Sequence, residues 1–167
     1  MKSLPMIVLL VAAVANAFVT GMSRAAEHEH AQSPAAWDLH VPSEIPWKPG
    51  PSSLAPGAKM AVLEGDPAKE GFFTMRLLLP DGYRVNPHWH PKTERLTIIS
   101  GMLNLGTGDR FDAAATKALP AGTYSAMPPK MTHFATTTGE TILQLSSMGP
   151  WQVIYVDPAD DPRTKQR

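Results

Sequence analysis

From residue 60 onward, turn-forming residues cut the chain into short runs, and this punctuation does most to limit the folds open to it. MAVLEGD, FFTMRLLLP, ERLTIIS, MLNLGT, GTYSAMP, HFATT, ETILQLSS and WQVIYV are rich in β-branched, aromatic and other apolar residues suited to a pleated surface. Between them stand GDPAKEG, PDGY, SG, GTGDR, PAG, PPK, TTGE and MGP, with the residues that set turn angles. The 17 prolines and 12 glycines of the chain point the same way, to many turns and few long helices. Only FDAAATKAL has room for a helical turn, and Pro120 ends it. The spacing predicts an all-β sandwich or barrel with no internal repeat.

A chain of 167 residues favours one domain, and 43% apolar content is enough for a core. Lys plus Arg (15) balances Asp plus Glu (15), which argues against a nucleic-acid partner held by phosphate neutralisation. The absence of cysteine excludes disulfides, thiolate zinc sites and thiol catalysis. Any metal must therefore be held by histidine and carboxylate.

The N-terminus divides from the rest by composition. A basic start (MKS), an apolar stretch and Ala15-Asn16-Ala17 read as a secretory signal over residues 1–26, with cleavage between 17 and 26. The apolar stretch is short of the roughly 20 residues a membrane span needs. Export to a bacterial periplasm is expected, with no membrane attachment after cleavage. Residues 27–59, rich in Pro, Ser and Ala, read as an extended arm anchored by Trp37, Leu39, Ile45 and Trp47. His28 and His30 belong to its free end, and His40 reads as a structural or surface histidine. The β-domain is expected over 60–156, and the tail 157–167 as polar and frayed.

NPHWHPKTE carries the chemistry. Residues i and i+2 of a strand face the same side about 6.5 Å apart, so His88 and His90 can converge on one ion while Trp89 points away. Pro87 and Pro91 bracket the pair as at a strand start or distorted edge. Glu94 opens the next run and could reach the same ion. His133, after a proline turn, either joins them across the sheet or packs alone.

Taken together, these residues resemble the cupin motifs. Gly82, His88, His90, Glu94 and Gly101, separated by five, one, three and six residues, match the first motif at every fixed position. Gly122, Pro128 and His133 match the second in part, with Lys130 where the family has glycine and Thr137 where it has asparagine. The resemblance covers residues 60–156. It implies a single jelly-roll β-barrel, a homodimer, and one divalent transition metal held by His88, His90, Glu94 and His133. Nitrogen and carboxylate donors suit Fe, Mn, Ni, Cu or Zn, and two positions stay open for water, dioxygen or a substrate.

The ligand or substrate expected is a small oxygen-bearing molecule. One reading is a metal-dependent, dioxygenase-like enzyme in which Glu94 is ligand and also a candidate to move a proton. The alternative is a non-catalytic periplasmic binding or sensor cupin. A sugar isomerase would need more polar residues on inner strands than are visible. Arg76, Asn104, Tyr124, Gln144 and Tyr155 are the polar residues that could support the site. Leu96 and Ile98 share the parity of Glu94 and should form an apolar wall, and Met127, Met131 and Phe134 could line its mouth. The signal reading has a direct test. N-terminal sequencing of the exported protein should find the mature chain starting between Phe18 and Glu27, and an intact Met1 in a soluble cytoplasmic pool would refute it.

Overall fold

Apolar side chains at alternate positions can be buried together only if their segments extend and pair. The computed structural model, which describes residues 37–166, shows this pairing throughout. The signal segment, His28 and His30 lie outside the described residues. In chain order the strands are β1 (Lys48–Pro49), β2 (Lys59–Glu64), β3 (Gly71–Leu79), β4 (Arg84–Trp89), β5 (Glu94–Thr107), β6 (Lys117–Pro120), β7 (Tyr124–Met127), β8 (His133–Gly149) and β9 (Ile154–Tyr155). All pairs are antiparallel. Among the described residues, no helix is long and apolar enough to cross a membrane.

β5 and β8 pair along most of their length and belong to both halves of the fold. One half runs β1-β2-β3-β8-β5-β7 and the other β9-β4-β8-β5-β6. Phe73, Met75, Leu77 and Leu79 of β3, Val85 of β4, Leu96, Ile98 and Leu103 of β5, and Leu143 and Leu145 of β8 form one core cluster. This is the expected all-β, cupin-type antiparallel fold, and its hydrogen-bonded sheet does not close into a barrel. β1 pairs only with β2, β9 only with β4, and β6 and β7 only with β5, so the hydrogen-bonded sheet keeps open edges.

Two expected turns prove to be bends inside long strands. SG at 100–101 and TTGE at 137–140 lie within the continuous β5 and β8, which face each other there with a shifted register. Gly101 takes φ +75, and a Cβ on it would meet Glu140 O at 2.4 Å and Thr141 Oγ1 at 2.6 Å. The fully buried Thr141 stitches the bend. Its hydroxyl accepts from Met102 N–H and donates to the carbonyls of Met102 and Gly139, each at 3.1 Å.

The segments flanking the strands also differ from expectation. Ile45 is buried and Trp47 half-buried, whereas Trp37 and Leu39 are exposed and anchor nothing. Leu54 and Ala58 of the same segment join the core. Tyr83 Oη donates to the Ala55 carbonyl and Tyr155 Oη to that of Ser53, tying the segment down at 2.5 and 2.8 Å. The tail is docked rather than frayed. Asn86 Nδ2 donates to Asp160 Oδ1 at 2.7 Å and Arg163 Nη2 to the Val153 carbonyl at 3.0 Å.

The bend is the most sensitive point of this architecture. Gly101→Ala should lower stability by more than about 2 kcal/mol, combining left-handed strain with backbone overlap. The measurement is the midpoint of urea unfolding.

Candidate metal centre

Three strand junctions bring the chemistry together. His88 lies near the end of β4 directly opposite His133, the first residue of β8. A register shift between Val85 and His88 accommodates Pro87. His90 follows the strand end, where Lys130 N–H donates to its carbonyl at 2.8 Å. Glu94 opens β5 opposite Met127. All four site residues are buried.

Lys130 sits where the cupin motif has glycine, and it adopts the conformation a glycine would, with φ +65. That geometry costs a lysine on the order of 1 kcal/mol and aims its N–H at the histidine loop. Thr137 replaces the motif asparagine with a different staple. Its hydroxyl accepts from Tyr83 N–H at 2.8 Å and donates to the Pro80 carbonyl at 2.6 Å.

Each imidazole is locked by a main-chain carbonyl. Nδ1–H of His88 donates to Asn86 O at 2.7 Å, that of His90 to Gln152 O at 2.7 Å, and that of His133 to Met131 O at 2.9 Å. A neutral imidazole that donates through Nδ1 must present a bare lone pair at Nε2. Ligating atoms of all three lie within 4.8 Å of one another, a group that could hold a metal ion. Carbonyl-oriented histidine is the usual outer support of a metal ligand.

The carboxylate completes the electrostatics. Glu94 Oε2 lies 3.3 Å from Nε2 of both His90 and His133, yet neither approach has hydrogen-bond geometry, and His90 Nε2 and Glu94 Oε2 are buried without partners. Burial pushes the Glu94 pKa up, but His90 and His133 outweigh it and hold the carboxyl below the usual range. Burial lowers His90, and the Glu94 charge outweighs that and raises it. His88 is pushed down to about 3 by burial and by His133 and His90, so it is neutral at pH 7. A buried carboxylate facing imidazole nitrogens calls for positive charge beside it, which either a protonated His90 or a bound cation supplies. A divalent cation would supply it, and the donor set fits one.

Around this point lies a cavity with about 50 Å³ of room for the centres of water-sized atoms. Its wall is apolar, including Leu54, Leu77, Val85, Leu96, Leu143 and Val153, with His88, Glu94, His133 and Trp151 at the polar end. Leu96 therefore lines the wall as its parity predicts, and Ile98 is buried in the adjoining core. Of the expected supporting residues only Tyr155 is near, its ring 5.8 Å from that of His88. Arg76 pairs with Gln144 at 3.3 Å on the opposite face, Asn104 donates to Thr138 and Tyr124 is exposed. Met127, Met131 and Phe134 are not in the cavity lining; Phe134 packs on Phe111 at the other face. His40 Nε2–H donates to the Leu63 carbonyl at 2.8 Å, a structural contact away from the site. Trp151 carries no metal-site signal in the sequence beyond its place after a turn, at the head of WQVIYV. It stacks on His90 with ring centres 5.4 Å apart and planes 19° apart.

Fold and motif geometry together define a cupin. Among solved structures of the same fold are a polyketide cyclase, RemF, of Streptomyces resistomycificus (TM-score 0.58, 15% identity, covering 79% of this chain and 94% of that one). A candidate acetylacetone dioxygenase of Methylibium petroleiphilum matches with TM-score 0.57 and 20% identity over 76% of this chain and 86% of its own. An RmlC-like cupin of Shewanella frigidimarina matches with TM-score 0.52 and 15% identity, covering 68% and 91%. At these identities the likeness shows the fold alone. The chain belongs to the family described as a domain of unknown function, DUF4437, whose model matches residues 25–154. No functionally curated protein matches the sequence.

His88→Ala, His90→Ala and His133→Ala should each strip most bound metal, measured by elemental analysis of purified, folded protein. His40→Ala should leave the metal content unchanged, because its contact is to the arm-facing edge of β2.

Proposed function

We propose that this is an exported, metal-dependent cupin enzyme acting on a small oxygen-bearing molecule by dioxygenase-type chemistry. The observation that carries the proposal is the convergence of three carbonyl-locked imidazoles and one carboxylate at the polar end of an apolar cavity. His88, His90, His133 and Glu94 would hold one divalent transition metal, which supplies Lewis acidity and an anchoring point for oxygen atoms. The imidazoles contribute neutral lone pairs, so Glu94 alone sets the negative charge of the donor set. Glu94 is also the one carboxylate among the cavity-lining residues, and it would take a proton from a bound substrate. The leucine and valine walls exclude water and select for compact, weakly polar ligands. The names of two cupins of similar fold, a candidate acetylacetone dioxygenase and a polyketide cyclase, support small ketone-type substrates as the first panel to try. Residues 1–26 would deliver the protein to the periplasm.

Glu94→Gln keeps size and one oxygen donor but removes the charge. Refilled with metal, it should lose turnover far more than metal occupancy, read as oxygen uptake by the Fe(II)-loaded protein with diketones, flavonols and catechols. Metal-replete wild type that stays inert toward all of these would favour a binding or sensor role instead.

A further inference from the structure

Among the described residues, three buried side-chain polar atoms lack a partner: His90 Nε2, Glu94 Oε2 and Trp151 Nε1. A cation accounts for the first two. It cannot account for the third, because an indole N–H is a donor only and cannot ligate. Leaving such a donor buried and unpaired is costly, so an acceptor is called for. Trp151 lines the same cavity as His88, Glu94 and His133, and its ring is held flat against that of His90. Its backbone is fixed as well, with its N–H donating to the Pro67 carbonyl at 2.7 Å. The indole is thus a rigid fixture beside the metal centre.

We propose that Trp151 Nε1–H is the ligand-orienting donor of this site, and that the ligand is a compact monoanion carrying two neighbouring oxygens, a carboxylate. The proposal rests on the metal reading above. One oxygen sits at the ion, and the second accepts from the indole. The charge follows from the donor set: three neutral imidazoles and one carboxylate around a divalent cation leave a single net positive charge. The apolar wall offers no counter-charge, so one negative charge on the ligand is what the site can neutralise. Size follows from the cavity, whose roughly 50 Å³ of room for atom centres admits only a compact ligand unless side chains move.

The test uses the full chain loaded with Zn(II), which is diamagnetic, and acetate as the probe. In nitrogen–proton correlation spectra, the Trp151 indole resonance, assigned through its own side-chain connectivities, should move downfield as acetate saturates the site. Trp151→Phe keeps an aromatic ring beside His90 while removing the N–H donor and part of the indole's bulk. It should bind acetate about tenfold more weakly, the loss expected for one such hydrogen bond, with zinc content unchanged. An indole resonance that acetate leaves in place, or a Phe variant with wild-type acetate affinity, overturns the role of Trp151, an ordered water then being its partner. Wild type that takes up no zinc overturns the metal reading, and the two-point grip falls with it.

Discussion

β8 is paired along both edges, with β5 on one side and β3 and β4 on the other, and the site depends on its register. Side chains alternate along a strand, so a slip of one residue would turn His133 out and Phe134 in. Packing forbids the slip. Phe134 is sealed on the far face against Phe111, under a strand position where only glycine fits, since a Cβ on Gly106 would lie 2.3 Å from its ring. Arg84 caps the same aromatic pair, 3.7 Å above the Phe111 ring. An apolar arrangement on one face thus holds a polar arrangement on the other.

At the centre, backbone rather than side chain sets the histidine orientation. The carbonyls of Asn86, Met131 and Gln152 come from three separate segments, and each fixes one imidazole in the tautomer that points Nε2 inward. Main-chain acceptors cannot be removed by substitution and change little in strength with pH. The C-terminal tail adds to this frame, since Asp160 holds the side chain of Asn86, whose carbonyl receives His88. A segment without chemistry of its own so contributes to the aim of a ligand.

The cavity joins an apolar wall to a charged floor. Burial is what makes both useful: it keeps His88 neutral and makes the Glu94 charge dependent on a nearby positive partner. Trp151 lies at the boundary between the two, offering an aromatic face to His90 and a single donor. Polar groups expected to help, Arg76 and Gln144, satisfy each other outside instead. Alternation explains this, because their neighbours Met75, Leu77, Leu143 and Leu145 take the inner face.

Much of this was legible in the residues alone. Turn chemistry and strand-length apolar runs determine an all-β fold, and the spacing of Gly82, His88, His90, Glu94 and Gly101 singles out three of the four residues of the centre, His88, His90 and Glu94. Those signals are local, carried by φ preferences, alternation and fixed offsets. The bends at Gly101 and Gly139 read locally as turns, because whether a glycine reverses a chain or kinks a strand depends on the strand paired across it. The open sheet, the docked tail and the place of Trp151 were likewise decided only by tertiary structure. Each depends on contacts between residues far apart in the chain: Trp151 with His90 and Pro67, Asp160 with Asn86, and Tyr155 with Ser53. Hydrogen bonds and packing across such separations leave no periodic mark in sequence, and they exist only once the strands have set the distances.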